Sequence, residues 1–304
     1  MGIFSFGIMQ LNHFFDVGKQ YLALGRVEEP AYAGQPPRYT LETSPMKRTL
    51  FAAALCLSCL ATGFVAGPVA AAPVPAASMA PADANKILAE IDRRANAFKD
   101  RQYTASMKIM KGGELSKTLT FDSKMRGLQK QYIHFTAPGD VAGMKILMQD
   151  TKTLYVYLPE FKKVRRVAAH AMAQGFLGGE FTYQDMTEVL LAAFYDAVVG
   201  GRDGTETTLQ LTPKEGNESG WSRIDVVIDS TKGGVTKMRY YDGAGNHVRT
   251  QSREDWKKVG GELMPTKVSM ANLKTGDTTV IELTDVRVNE GVEDDQFSRR
   301  QLLR

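Results

Sequence analysis

The chain has 304 residues, two cysteines, and a formal net charge of +4 from 38 Lys and Arg against 34 Asp and Glu. Charges this nearly balanced imply no large electrostatic partner such as nucleic acid. The length is ample for a sizeable core.

Residues 26–45 carry Pro30, Pro36, Pro37 and Pro45 and no fold-like period, and 1–45 read as an unstructured extension or as sequence upstream of the true start at Met46. From Met46 the pattern is that of a secretory leader. Met46, Lys47 and Arg48 are a short basic head, Thr49–Leu60 is apolar, and Ala70-Ala71-Ala72 ends a small-residue region that fits cleavage after Ala72. A membrane anchor is the alternative, since about 20 apolar residues span a bilayer. Gly63, Gly67, Pro68 and Pro73 interrupt the run in the leader's manner. Cys56 and Cys59 both fall inside it, and neither has a convincing lipobox. Cleavage therefore leaves an exported chain with no disulfide, catalytic thiol or thiolate metal site.

Residues 73–82 read as a flexible tether. Asp83 then opens an expected helix over 83–98, with Ile87, Leu88, Ile91, Ala95 and Phe98 on one stripe and Lys86, Glu90, Arg93 and Arg94 opposite. Past residue 101 the period becomes two. Tyr103, Ala105, Met107 and Ile109 alternate with polar neighbours, and further strands are expected at 115–125, 129–136, 145–148 and 153–158. Seven more follow between Phe194 and Val288, joined by Gly- and Asp-rich turns such as Asp242–Asn246 and Lys274–Asp277. The expectation is a mainly β, α+β domain over 83–304: a strongly curved antiparallel sheet of 11–12 strands, a half barrel with helices over its open side. A sheet of that size must curl, split or close. The irregular stretch 168–192, with Phe176, Leu177, Phe181 and Met186, is the second possible cover.

Chemistry is sparse. His134, His170 and His247 stand apart from one another, no G-x-S-x-G elbow is present, and no nucleophile is paired with a base, so neither an enzyme, a metal site nor a cofactor is expected. The basic run Lys162-Lys163-Val164-Arg165-Arg166 has two readings: contact with an anionic head group or acidic partner, or a strand edge guarded by cations. On the strand at 153–158, Tyr155 and Tyr157 share one face and Leu154, Val156 and Leu158 the other. Both faces are apolar enough to be buried, and the pattern does not choose.

Several segments carry a resemblance. Tyr155-Val156-Tyr157-Leu158-Pro159, then Val164-Arg165-Arg166, then Gly175-Phe176-Leu177-Gly178-Gly179-Glu180-Phe181-Thr182-Tyr183-Gln184-Asp185-Met186 resemble the bacterial outer-membrane lipoprotein-sorting family, whose relatives include the LolA carrier. Leu211-Thr212-Pro213-Lys214, Tyr240-Tyr241-Asp242-Gly243 and the closing Phe297 and Leu302 extend it in order over roughly 83–304. Glu180 and Met186 depart from the family pattern in a minor way. The resemblance implies a monomeric periplasmic carrier with an apolar cavity for lipid or lipoprotein acyl chains, working between an inner-membrane exporter and an outer-membrane acceptor. A lipid- or peptide-sensing accessory module beside such an exporter is the alternative. Tyr155, Tyr157, Leu158, Phe176, Leu177, Phe181 and Tyr183 are the implied cavity or lid residues, and Lys163, Arg165 and Arg166 the implied head-group or partner contacts.

Overall fold

The computed structural model describes residues 81–304 apart from Glu218. The extension 1–45, the leader 46–72 and the tether up to residue 80 lie outside the described residues.

Helix α1 (Pro81–Ala95) has Asp83 in its first turn and Arg93 and Arg94 in its last, the arrangement its dipole favours. Ala84, Leu88 and Ile91 form its buried stripe. The helix stops short of the expected residue 98. Asn96 turns its side chain to accept the Leu128 N–H at 2.8 Å, and Phe98 is buried beyond the helix end.

Thirteen strands follow: β1 (Asp100–Lys111), β2 (Glu114–Arg126), β3 (Lys130–Ala137), β4 (Lys145–Asp150), β5 (Thr153–Leu158), β6 (Lys163–Arg166), β7 (Tyr195–Asp203), β8 (Glu206–Pro213), β9 (Arg223–Asp229), β10 (Gly234–Tyr241), β11 (His247–Val259), β12 (Glu262–Asn272) and β13 (Thr278–Val288). The expected count of 11–12 omits β6. That strand is the basic run, and four residues with three charges show no alternation to read.

All thirteen pair antiparallel in one open sheet, ordered β6-β5-β4-β3-β2-β1-β13-β12-β11-β10-β9-β8-β7. It is two meanders joined where the first strand meets the last, with Met107 opposite Ile281. Both outer edges, β6 and β7, therefore belong to strands consecutive in sequence. The chain between Arg166 and Tyr195 has to pass from one edge to the other.

Register assigns the faces. From Leu154 on β5 through Ile146, Ile133, Phe121, Ala105, Leu283 and on to Met270, Met238, Val226 and Leu209, one face carries almost all the buried apolar side chains. The undecided faces of β5 are settled by this register. Leu154, Val156 and Leu158 point to the main face, while Tyr155 and Tyr157 point to the other. On that opposite face they meet Leu147 and the C-terminal segment, where Val292, Phe297 and Leu302 are buried; Leu302 ends the short helix α4 (Arg299–Leu302).

Candidate functional site

The segment from Arg166 to Tyr195 forms a strap across the main face. It contains single helical turns at Ala169–Ala171 and Phe176–Gly178, and the short helices α2 (Tyr183–Thr187) and α3 (Leu191–Phe194). A small hairpin lies at its middle, where Gly175 pairs with Thr182 and the Phe176 N–H donates to Phe181 O at 2.7 Å. Gly175 is required there, because a Cβ would stand 2.5 Å from the Gly179 carbonyl oxygen. Gly179 in turn lets the strap approach the sheet, since its Cβ would meet Met107 Cε at 2.6 Å.

Apolar contact holds the first half of the strap. The Phe176 ring lies 5.7 Å from Phe135 and 5.5 Å from Tyr183, within reach for tilted and edge-on aromatic packing. Polar ties hold the second half. The Glu180 N–H donates to Thr279 Oγ1 at 2.8 Å, and its carboxylate accepts from Lys111 and Asn272. Asp185 closes a capping box with Thr182 that starts α2. Arg249 of β11 then donates to Glu180 O at 2.6 Å and to Asp185 Oδ2 at 2.8 Å. Its guanidinium stacks near Trp221 and Tyr240, and the Arg249 and Asp185 side chains are only 8% and 10% exposed.

Beside this half of the strap is a cavity of about 900 Å³. It is bounded by α1 and the turn after it, by residues 184–191 of the strap, and by the main face from β9 across to β1 and β2. Phe98, Trp221, Met238, Trp256, Met264 and Leu283 are among its apolar lining. Polar groups enter the same space. Tyr103 hydrogen-bonds with Gln131, which also donates to Ser123. Arg101 and Arg253 line the cavity, and burial draws the pKa of both guanidinium groups down. Desolvation likewise pushes Asp92 up, against the Ala192 N–H that donates to it, and pushes the Tyr195 and Tyr240 hydroxyls up. Among the described residues no group of three or more His, Cys, Asp or Glu could hold a metal ion. No described helix is long and apolar enough to cross a membrane.

The residues singled out in the sequence fall in three places. Leu158, Phe176, Leu177 and Tyr183 pack in the core of β1–β5, and Phe181 packs against that of β7–β12. Tyr155 and Tyr157 lie on the opposite face, and Arg299 sits over the Tyr155 ring. None of these seven lines the 900 Å³ cavity. Lys163 and Arg165 join Arg299, Arg300 and the exposed Leu303 around an open depression. Arg166 donates to Lys152 O on the same edge at 3.4 Å. The cavity residues Arg101 and Arg253, and the strap-holding Arg249, were legible only as members of strands. Their one signal is parity: Arg249, Gln251 and Arg253 occupy the buried-face positions of β11.

A family model described only as an uncharacterized protein matches residues 127–304. No curated protein matches the chain significantly. Among solved structures, a DUF1329 family protein from Desulfovibrio piger is 24% identical, with a TM-score of 0.68 over 74% of this chain and 100% of that one. A domain from Vibrio parahaemolyticus described as an outer membrane lipoprotein-sorting protein is also 24% identical, with a TM-score of 0.67 over 74% and 100%. A LolA superfamily protein from Nitrosomonas europaea is 19% identical, with a TM-score of 0.60 over 72% and 98%. At these identities the likeness to the solved structures is one of fold.

Proposed function

The chain belongs to the family whose model, described only as an uncharacterized protein, spans residues 127–304, and from its LolA-like fold we propose that it is a periplasmic carrier that holds a lipid, or the acyl chains of a lipoprotein, and moves them toward the outer membrane. The observation that carries this reading is the cavity of about 900 Å³ between α1, the strap and the main face of the sheet. Its size is that of a small-molecule site, and its lining mixes apolar side chains such as Phe98, Trp221, Met238 and Leu283 with a comparable share of polar and charged ones. Such a carrier requires no reacting group. It requires apolar surface kept from water, which stabilises the bound chain by about 25 cal/mol per Å² buried.

In this reading the sheet curves as a half barrel, and α1 and the strap close its open side. The leader at 46–72 delivers the chain to the periplasm. Phe176, Leu177, Phe181 and Tyr183 belong to the strap that moves when cargo leaves. Leu158 supports it from β5, and Tyr155 and Tyr157 seat the C-terminal segment. Lys163, Arg165 and Arg166, with Arg299 and Arg300 beside them, meet an anionic membrane surface or partner at the exporter or the acceptor, where each basic residue contributes about 1 kcal/mol.

Native mass spectrometry of the protein purified from periplasm is the direct test. A lipid adduct that exchanges with added lipid is expected, and repeated absence of any adduct overturns the carrier. Arg165→Glu should impair transfer to acceptor vesicles more than it impairs binding. Equal loss of both would make the basic edge a structural feature instead.

A further inference from the structure

An aliphatic chain makes no use of charge, and a buried charge without a partner is costly. Four arginines line the cavity; Arg93 and Arg94 are exposed and paired with Glu90, whereas Arg101 and Arg253 have no carboxylate in hydrogen-bond contact. Arg101 stands opposite Met125 and Arg253 opposite Val268, which puts both on the main face, and both keep part of their surface open to the cavity. Arg253 Nε donates to Gln251 Oε1 at 2.9 Å, and a terminal nitrogen approaches Met238 Sδ at 3.6 Å. A thioether is a weak acceptor. The other N–H groups of Arg253 have no acceptor among the described residues. Arg101 donates to Ala95 O, and its Nε is buried without a partner.

The carboxylates nearby are engaged elsewhere. Asp92 is within electrostatic reach of Arg253 but accepts the Ala192 N–H at 2.7 Å. Asp185 is held by Arg249, Glu188 accepts the Tyr195 hydroxyl, and Glu262 is exposed. The cavity thus offers unspent positive hydrogen-bond donors beside apolar side chains such as Met238 and Val268, and a guanidinium presents them as a fork suited to paired oxygens.

We propose that this cavity selects amphiphiles with an anionic oxygen head, a carboxylate or a phosphate, whose oxygens take the free N–H groups of Arg253 while Arg101 supplies a second positive charge. The proposal rests on the carrier reading and names its ligand class. A neutral head without an anionic oxygen would leave these N–H groups without a charged acceptor.

The test uses the full chain and four single-chain probes of equal length: a fatty acid, an alkyl phosphate, a fatty alcohol and an alkyltrimethylammonium. Binding is read from tryptophan fluorescence, because Trp221 and Trp256, the chain's two tryptophans, both line the cavity. At least one of the anionic probes should bind about tenfold or more tighter than the alcohol, and the cationic probe more weakly than the alcohol. The tighter of the two anions identifies the head. Arg253→Gln should remove most of the anion's margin and leave alcohol binding unchanged. Arg253→Lys, which keeps the charge but loses the fork, should retain part of it. Should Arg253→Gln fail to fold, Arg253→Lys and the wild-type order of the four probes decide. Alcohol bound as tightly as both anions, or equal loss of anion and alcohol in Arg253→Gln, overturns head recognition and leaves the carrier standing. Absence of binding by every probe overturns the carrier and this proposal together.

Discussion

Replacing Arg249 by Leu isolates the tie between the strap and β11. The side chain is almost fully buried and engages Asp185 and the Glu180 carbonyl at once. Removing one member of a buried ion pair costs about 3–5 kcal/mol, because the other charge stays desolvated. Asp185 keeps the Thr182 N–H and hydroxyl as donors, which places the loss at the low end. The cation–π contacts with Trp221 and Tyr240 add about 0.5–1 kcal/mol, and Leu retains most of the apolar stem. The expected total is about 3–4 kcal/mol, or roughly 6–16 °C in melting temperature for a domain of this size. The strap can also detach locally, and detachment caps the global loss at its own opening free energy. Urea denaturation should therefore be paired with amide exchange at residues 180–187, which should quicken in the variant. A cycle with Asp185→Asn should give a coupling of about 1–3 kcal/mol. Stability within about 0.5 kcal/mol of wild type, with unchanged exchange at those amides, would refute the tie.

Phe176→Ala should cost about 3–5 kcal/mol in urea denaturation, since the ring is buried between Phe135 and Tyr183; a loss below 1 kcal/mol on the same scale would mean the strap's first half is not anchored there. Ending the chain after Gly291 removes Val292, Phe297 and Leu302 from the opposite face; at about 1.5–3 kcal/mol for each buried side chain, the truncated protein should aggregate or melt well below the full chain, and an unchanged melt would show that this segment contributes no burial. His134, between Asp122 and Lys145 in neighbouring strands, is held below the ordinary 6.5 first by burial and then by Lys145. The folded state resists its protonation, so the stability it contributes is full above 6.5 and declines as pH falls through that value. Urea midpoints of His134→Asn should accordingly depend less on pH over the acidic range than those of wild type, and parallel profiles would remove His134 as the cause.

Twelve strands and the amphipathic helix were readable because alternation and the 3.6-residue stripe are local. Leu119 and Phe121, or Leu209 and Leu211, announce a buried face without any knowledge of their partners. The short charged edge β6 was hidden because its side chains answer to solvent and not to a core. The join of β1 to β13 was hidden for another reason: pairing between residues as remote as Met107 and Ile281 leaves no mark on either segment alone. The two faces of β5 were undecidable because both are in fact covered, one by the strap and one by the C-terminal segment. The strap itself was visible as an apolar irregular stretch. Its course from edge to edge follows only from the strand order. The cavity arginines looked like ordinary strand cations, since burial of a charge depends on what lies across the fold.

The strap's two halves differ in what would be lost on opening. Phe176 leaves an aromatic core if it moves, and water offers no replacement for that contact. Glu180 and Asp185 are held by hydrogen bonds and ion pairs, which water can largely replace once it enters. The replaceable half is the one that borders the cavity, where Gln184, Asp185 and Glu188 form part of the lining. The strap is thus held at one end by apolar burial and at the other by polar ties. The tie with the most to lose on wetting is Arg249–Asp185, because both side chains are nearly dry while it holds. That pair therefore holds the half of the strap that borders the cavity, with Asp185 itself in the lining.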